Sequence, residues 1–112
     1  MKPSEAYPPF DNADIKSSRL LFIHFWAGWD SYDELMADRL VDARSGLQGI
    51  ATLRGLDVDR SECWSDLRTW RVINVPALGI FLNGQHQQTV IGLQSTDDLL
   101  RLFQEWELRA AG

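Results

Sequence analysis

Seven consecutive residues, Leu20-Leu21-Phe22-Ile23-His24-Phe25-Trp26, are apolar at every position but one. A strand covered on one face alternates apolar and polar side chains, whereas a strand covered on both faces reads as an unbroken run. The stretch is far short of the ~20 apolar residues a membrane-crossing helix needs. It predicts a central strand with packing on both sides, and it carries one imidazole, His24, into the interior.

Gly28 ends the run, and residues 31 to about 43 read as a helix, with Leu35, Met36, Leu40 and Ala43 as its apolar stripe and Arg39 among them. Residues 50–58 suggest a second strand, apolar at Ile50, Leu53, Leu56 and Val58, and Ser61 to Trp70 suits a short helix. A third strand runs from Ala77 to Leu82. Asn83-Gly84 is a strong hairpin signal, because both central positions of that turn need positive φ. The returning strand covers about Gln87 to Ile91. Ser95-Thr96-Asp97-Asp98 then caps a terminal helix with the stripe Leu99, Leu100, Leu102, Phe103 and Trp106. Upstream, Phe10 to Ser17 suits a short helix with Asp11 or Asn12 near its cap and Ile15 inward. Residues 1–9 hold Pro3, Pro8 and Pro9 and are expected to form a loose arm or a poor edge strand. The expected organisation is the arm, 1–9, and one α/β domain, 10–112: a mixed sheet of four or five strands with helices on both faces.

Eleven basic against sixteen acidic residues give a net charge of −5. No basic cluster offsets that balance, so neither a nucleic-acid backbone nor an anionic membrane is expected as a partner. Cys63 is the only cysteine, which excludes an internal disulfide; with only His24 and His86 beside it, a cysteine-rich zinc site is excluded too. With no basic segment leading into an apolar one at the start, the chain reads as cytoplasmic.

These patterns resemble a known family. Phe10-Asp11 through Leu20–Trp29, ending in Phe25-Trp26-Ala27-Gly28-Trp29, is similar to the opening of a thioredoxin domain. Asp57-Val58-Asp59 resembles the end of that family's next strand. Val75-Pro76-Ala77-Leu78-Gly79-Ile80-Phe81-Leu82-Asn83-Gly84-Gln85 resembles its cis-proline loop, strand and hairpin, and Val90-Ile91-Gly92 the glycine lining its substrate groove. The resemblance covers about residues 10–107. It implies a thioredoxin fold and a groove for an extended peptide beside a cis Pro76, formed here by Trp29, Asp30, Ser31, Tyr32, Asp33, Val75, Pro76, Gly92 and Leu93.

The chemistry departs from the family. Its Trp-Cys-x-x-Cys becomes Trp29-Asp30-Ser31-Tyr32-Asp33, and its buried strand acid becomes His24. Disulfide exchange needs an attacking thiolate and a resolving thiol, and a carboxylate supplies neither. Asp30 and Asp33 have a simpler use at a helix start, where amides are unpaired and the field is positive. Ser31-x-x-Glu34 fits a capping box there, with Asp30 a rival cap. The sharper use, an acid/base pair or hard-metal site, lacks a third ligand; no metal or cofactor is expected. His24 reads as a packed histidine, with Ser31 a conceivable catalytic partner if the strand end points at the loop. Cys63 lies between Glu62 and Trp64, with Asp66 nearby, and those carboxylates oppose thiolate formation.

The expectation is a redox-inactive thioredoxin-like protein whose inherited groove binds a protein or extended peptide by strand addition, as an adaptor or chaperone-like module. Trp29 is its anchor, and Asp30 and Asp33 form an acidic rim favouring basic partners. The enzymatic alternatives are residual single-thiol chemistry at Cys63, or hydrolysis by His24 with Asp30 or Asp33.

Overall fold

A computed structural model describes residues 1–46, 49–60, 62 and 64–112 of the chain. The elements are α1 (Pro3–Ala6), α2 (Asn12–Ser17), β1 (Leu20–Trp26), α3 (Tyr32–Arg44), β2 (Ala51–Asp57), α4 (Trp64–Thr69), β3 (Ala77–Leu82), β4 (Gln85–Ile91) and α5 (Thr96–Ala111). They build a four-stranded sheet in the order β2-β1-β3-β4. β1 lies parallel to β2 and antiparallel to β3, and β3 lies antiparallel to β4.

The unbroken run behaves as its composition dictates. Leu20 through Phe25 are all buried, and successive side chains enter opposite layers. Leu20 and Phe22 join Leu40, Leu99 and Phe103 in the layer under α3 and α5, where the Phe22 and Phe103 rings lie 4.5 Å apart. Leu21, Ile23 and Phe25 join Leu67, Trp70 and Phe81 in the layer on the other face. Each fully buried side chain of this size contributes about 1.5–3 kcal/mol from removal of apolar surface. The central strand is therefore the main element that resists unfolding.

Leu82 pairs with Gln85, leaving Asn83 and Gly84 as the two turn residues at φ 51° and 81°. β4 thus begins two residues earlier than its apolar pattern indicates, because ladder pairing reaches the turn whatever the side chains are. α4 is shorter than the predicted Ser61–Trp70 helix, and Ser61 and Cys63 lie outside the described residues. In α3 the buried set is Asp33, Met36, Ala37, Leu40 and Ala43, while Leu35 is exposed. The helix is rotated so that Asp33 faces inward, which carries Leu35 off the core face.

The N-terminal arm is docked. α1 packs beside α3, and Tyr7 is buried in the first core layer. Beyond it the chain runs along the outer edge of β2: the Gly55 amide donates to the Pro8 carbonyl at 3.1 Å, and the Phe10 amide to the Gly55 carbonyl at 2.7 Å. Proline at positions 8 and 9 suits this place, since its missing N–H can face away from the sheet. Asp11 then starts α2 with a reciprocal capping box to Asp14.

Candidate functional site

Phe25 pairs with Ala77, so the register sets the end of β1, and the start of the loop that leaves it, beside Pro76. The Val75–Pro76 peptide bond is cis. The Gly92 amide donates to the Pro76 carbonyl at 2.8 Å, tying the end of β4 to the same spot. Pro76 is buried, and Val75, Gly92 and Leu93 are half-buried around it. Trp29 stands at 71% exposure and Tyr32 at 60%, large apolar surfaces left facing solvent on the loop and the first turn of α3. The Trp29 indole N–H reaches Asp59 Oδ1 at 3.3 Å. Val58, one residue earlier, accepts from the indole of Trp64, also 60% exposed.

Beneath this surface lies a chain of three buried polar side chains. His24 Nε2 is 2.9 Å from Asp33 Oδ1, and Asp33 Oδ2 accepts the Ala27 amide at 3.0 Å. On the other side of the ring, His24 Nδ1 meets the Tyr7 hydroxyl. Burial holds the Tyr7 phenol well above its ordinary pKa, with the nearby Asp33 acting the same way. It is therefore the donor to Nδ1, which assigns the imidazole proton to Nε2 and directs it at Asp33. Burial also pushes His24 below the usual histidine range, against the opposing pull of Asp33. A neutral ring in this tautomer satisfies every buried polar group in the chain of contacts. No buried side-chain nitrogen or oxygen among the described residues lacks a partner.

Several sequence expectations change as a result. Asp33 is 1% exposed, so it forms no part of an acidic rim; its carboxyl anchors the loop from below because the neutral His24 N–H and the Ala27 amide both need an acceptor. The capping box at Ser31 is not formed. Ser31 has helical φ and ψ and no side-chain cap contact, while Asp30 Oδ1 accepts the Tyr32 amide at 3.0 Å. Asp30 is thus the cap, and the exposed acid beside Trp29 is Asp59. Ser31 is exposed at the surface and is not the partner of His24.

The carboxylate that a hydrolytic site would require is within reach of His24, yet both groups are sealed from solvent. No substrate atom can approach them, and the pair's geometry is that of a strut. Among the described residues no group of three or more His, Cys, Asp or Glu side chains could hold a metal ion. Cys63 lies outside the described residues.

Tyr7, Asp59 and Trp64 were not among the site residues expected from the sequence. A histidine inside an apolar strand demands buried partners, and Tyr7 is the hydroxyl-bearing aromatic of the arm; that demand was the available signal. Nothing local distinguishes Asp59 from Asp57, since the contact with Trp29 spans thirty positions.

Comparison with known proteins agrees with this architecture. The sequence model described as "Thioredoxin" matches residues 5–105. The thioredoxin of Staphylococcus aureus strain Mu50 is 28% identical over 95 residues, covering 82% of this chain and 89% of that protein. Among solved structures, mitochondrial thioredoxin 3 of Saccharomyces cerevisiae in its oxidised form superposes with a TM-score of 0.77 at 18% identity, over 93% of this chain and 99% of that one. A mutant thioredoxin of Halobacterium salinarum NRC-1 gives 0.75 at 20% identity, covering 95% of this chain and 94% of that one. With four-fifths or more of the chain matched in sequence and in fold, and with Pro76 in the cis loop at the head of β3, this protein belongs to the thioredoxin family.

Proposed function

We propose that this chain binds an extended segment of a protein partner in the groove bounded by Trp29, Val75, Pro76, Gly92 and Leu93, as an adaptor or chaperone-like module, and that it does so without disulfide exchange. The observation that carries the reading is the engagement of Asp33. Where the family pattern has its second thiol, this chain has a buried carboxyl whose two oxygens are both committed, to His24 and to Ala27. Where the first thiol would attack, Asp30 is held by the amide of Tyr32. A resolving reaction has no sulfur at either place. The surface above them keeps what peptide recognition needs: an exposed indole, an exposed phenol ring and a strand end next to a buried proline. Aromatic side chains of this kind dominate binding energies when a partner covers them. The acids flanking them, Asp30 and Asp59, favour a partner segment with basic residues.

The test has two arms. In a dithiothreitol-driven insulin reduction assay, the parent and Cys63→Ser should both remain at the uncatalysed rate; turnover lost on Cys63→Ser would establish single-thiol chemistry instead. Peptides selected from a displayed random library on the parent should bind Trp29→Ala at least tenfold more weakly. Equal affinity for the two proteins would move the binding site away from this groove.

A further inference from the structure

The docked arm leaves a second concavity, separate from the groove and unused by the reading above. It has a volume of about 520 Å³ and lies between the arm, the end of β2 and α4. That size falls within the range of pockets that hold small organic ligands. Four aromatic residues line it: Tyr7 from the arm, Phe10 just after it, Trp26 from β1, and Trp70 just after α4. Phe10 and Trp70 meet edge to face with centroids 6.0 Å apart, which fixes their orientation. Gly55 contributes the backbone between them. A Cβ there would come within 3.0 Å of the Tyr7 ring and 3.2 Å of Trp26 Nε1, so the missing side chain at position 55 is what lets these two rings close over the strand.

The charged residues at this cavity are unbalanced. Asp11, Asp57, Glu62 and Asp66 line it against Arg60 alone, and Arg60 is already paired with Glu62 at 2.9 Å. Asp57 spends one oxygen on a backbone amide and keeps the other, whereas the Asp11 carboxylate is taken up in capping α2. Asp66 makes no side-chain hydrogen bond or ion pair among the described residues, and neither does the indole N–H of Trp26. Aromatic faces attract cations through their negative quadrupoles, and nearby carboxylates add direct attraction where solvent is partly excluded. An anion would meet repulsion from both. The unmatched indole donor, in turn, calls for an acceptor on the same ligand.

We propose that this cavity is a binding site for a small organic cation, an ammonium group on an aromatic or apolar body that also carries a hydrogen-bond acceptor. Tyramine has all three features; 4-ethylphenol lacks the charge, and 3-(4-hydroxyphenyl)propionate reverses it. Each would be titrated into the full-length, isotope-labelled protein while the backbone amide of Gly55 and the indole N–H of Trp26 are followed by NMR. Tyramine should shift both signals saturably, 4-ethylphenol should bind at least tenfold more weakly, and the propionate should not saturate. The double variant Asp57→Asn, Asp66→Asn should weaken tyramine tenfold or more and leave 4-ethylphenol unchanged. No tyramine-induced shift, equal affinities for the three compounds, or a double variant that binds tyramine like the parent would each overturn the proposal. Peptide binding to the groove, read with the parent and Trp29→Ala, is independent of all three results.

Discussion

His24 shows how one residue governs a neighbourhood. An imidazole inside an apolar strand is tolerable only if both nitrogens are matched, and Tyr7 and Asp33 match them from different elements. The arrangement is tuned to the neutral ring, because burial lowers the affinity of His24 for a proton. The unfolded chain, with histidine near its ordinary value of 6.5, binds that proton more readily. Stability from this group is therefore complete above that value and is lost as pH falls below it, with a slope approaching about 1.4 kcal/mol per pH unit. His86 is also lowered by burial but is less enclosed, so it adds in the same direction to a smaller degree. Urea unfolding between about pH 7.5 and pH 5.5, above the range where carboxylates protonate, isolates the effect. His86→Gln should keep most of the slope and His24→Gln should lose it, even though the latter begins less stable. A slope that survives His24→Gln at close to its parent size would assign the titration elsewhere.

At the scale of elements, the first turn of α3 separates local from distant causes. Asp30 and Ser31 are both cap-forming residues, and composition alone does not choose between them. The backbone chooses: residue 31 is already helical, so the cap is Asp30. Asp30→Ala should cost about 1 kcal/mol in chemical denaturation, and Ser31→Ala about 0.5 kcal/mol or less. The reverse order would show that the loop is capped from Ser31 in solution. β1, β3 and the cap and stripe of α5 were legible in the sequence because their signals are contained within the element: an unbroken apolar run, the Asn83-Gly84 turn, and Ser95 accepting the Asp98 amide. The rotation of α3 was not legible. It is set by Asp33 turning inward to a histidine nine positions earlier, which outweighs the burial of Leu35. The cis bond before Pro76 and the tie from Gly92 to its carbonyl could be read from their motifs, whereas the contact of Asp59 with Trp29 could not.

For the whole molecule, the arm decides how the sheet ends. β2 is an edge strand, and an uncovered edge is a template for pairing with another chain. Residues 8–10 occupy part of that edge through Gly55, while Tyr7 fills a place in the first core layer. Proline content suggested a loose segment, because proline disfavours ladders; here it sits where only one side of the chain needs to pair. Deleting residues 1–9 should lower unfolding stability by about 3 kcal/mol, from the lost burial of Tyr7 and its hydrogen bond to His24. The truncated protein should also self-associate in sedimentation velocity, with the parent as reference. A truncated chain as stable as the parent would mean that the arm contributes nothing to the core.

The run from Tyr7 through His24 to Asp33 and the Ala27 amide has one more consequence. It makes two distant openings a single event: if the arm lifts, the imidazole loses its donor, and the carboxyl that steadies the Trp29 loop loses part of its support. Thermodynamic linkage is reciprocal, so the loop and the arm constrain each other to the same degree. Deuterium uptake at the amide of residue 27 would thus gauge the docking of residue 7, and a molecule gripping one would slow the breathing of the other.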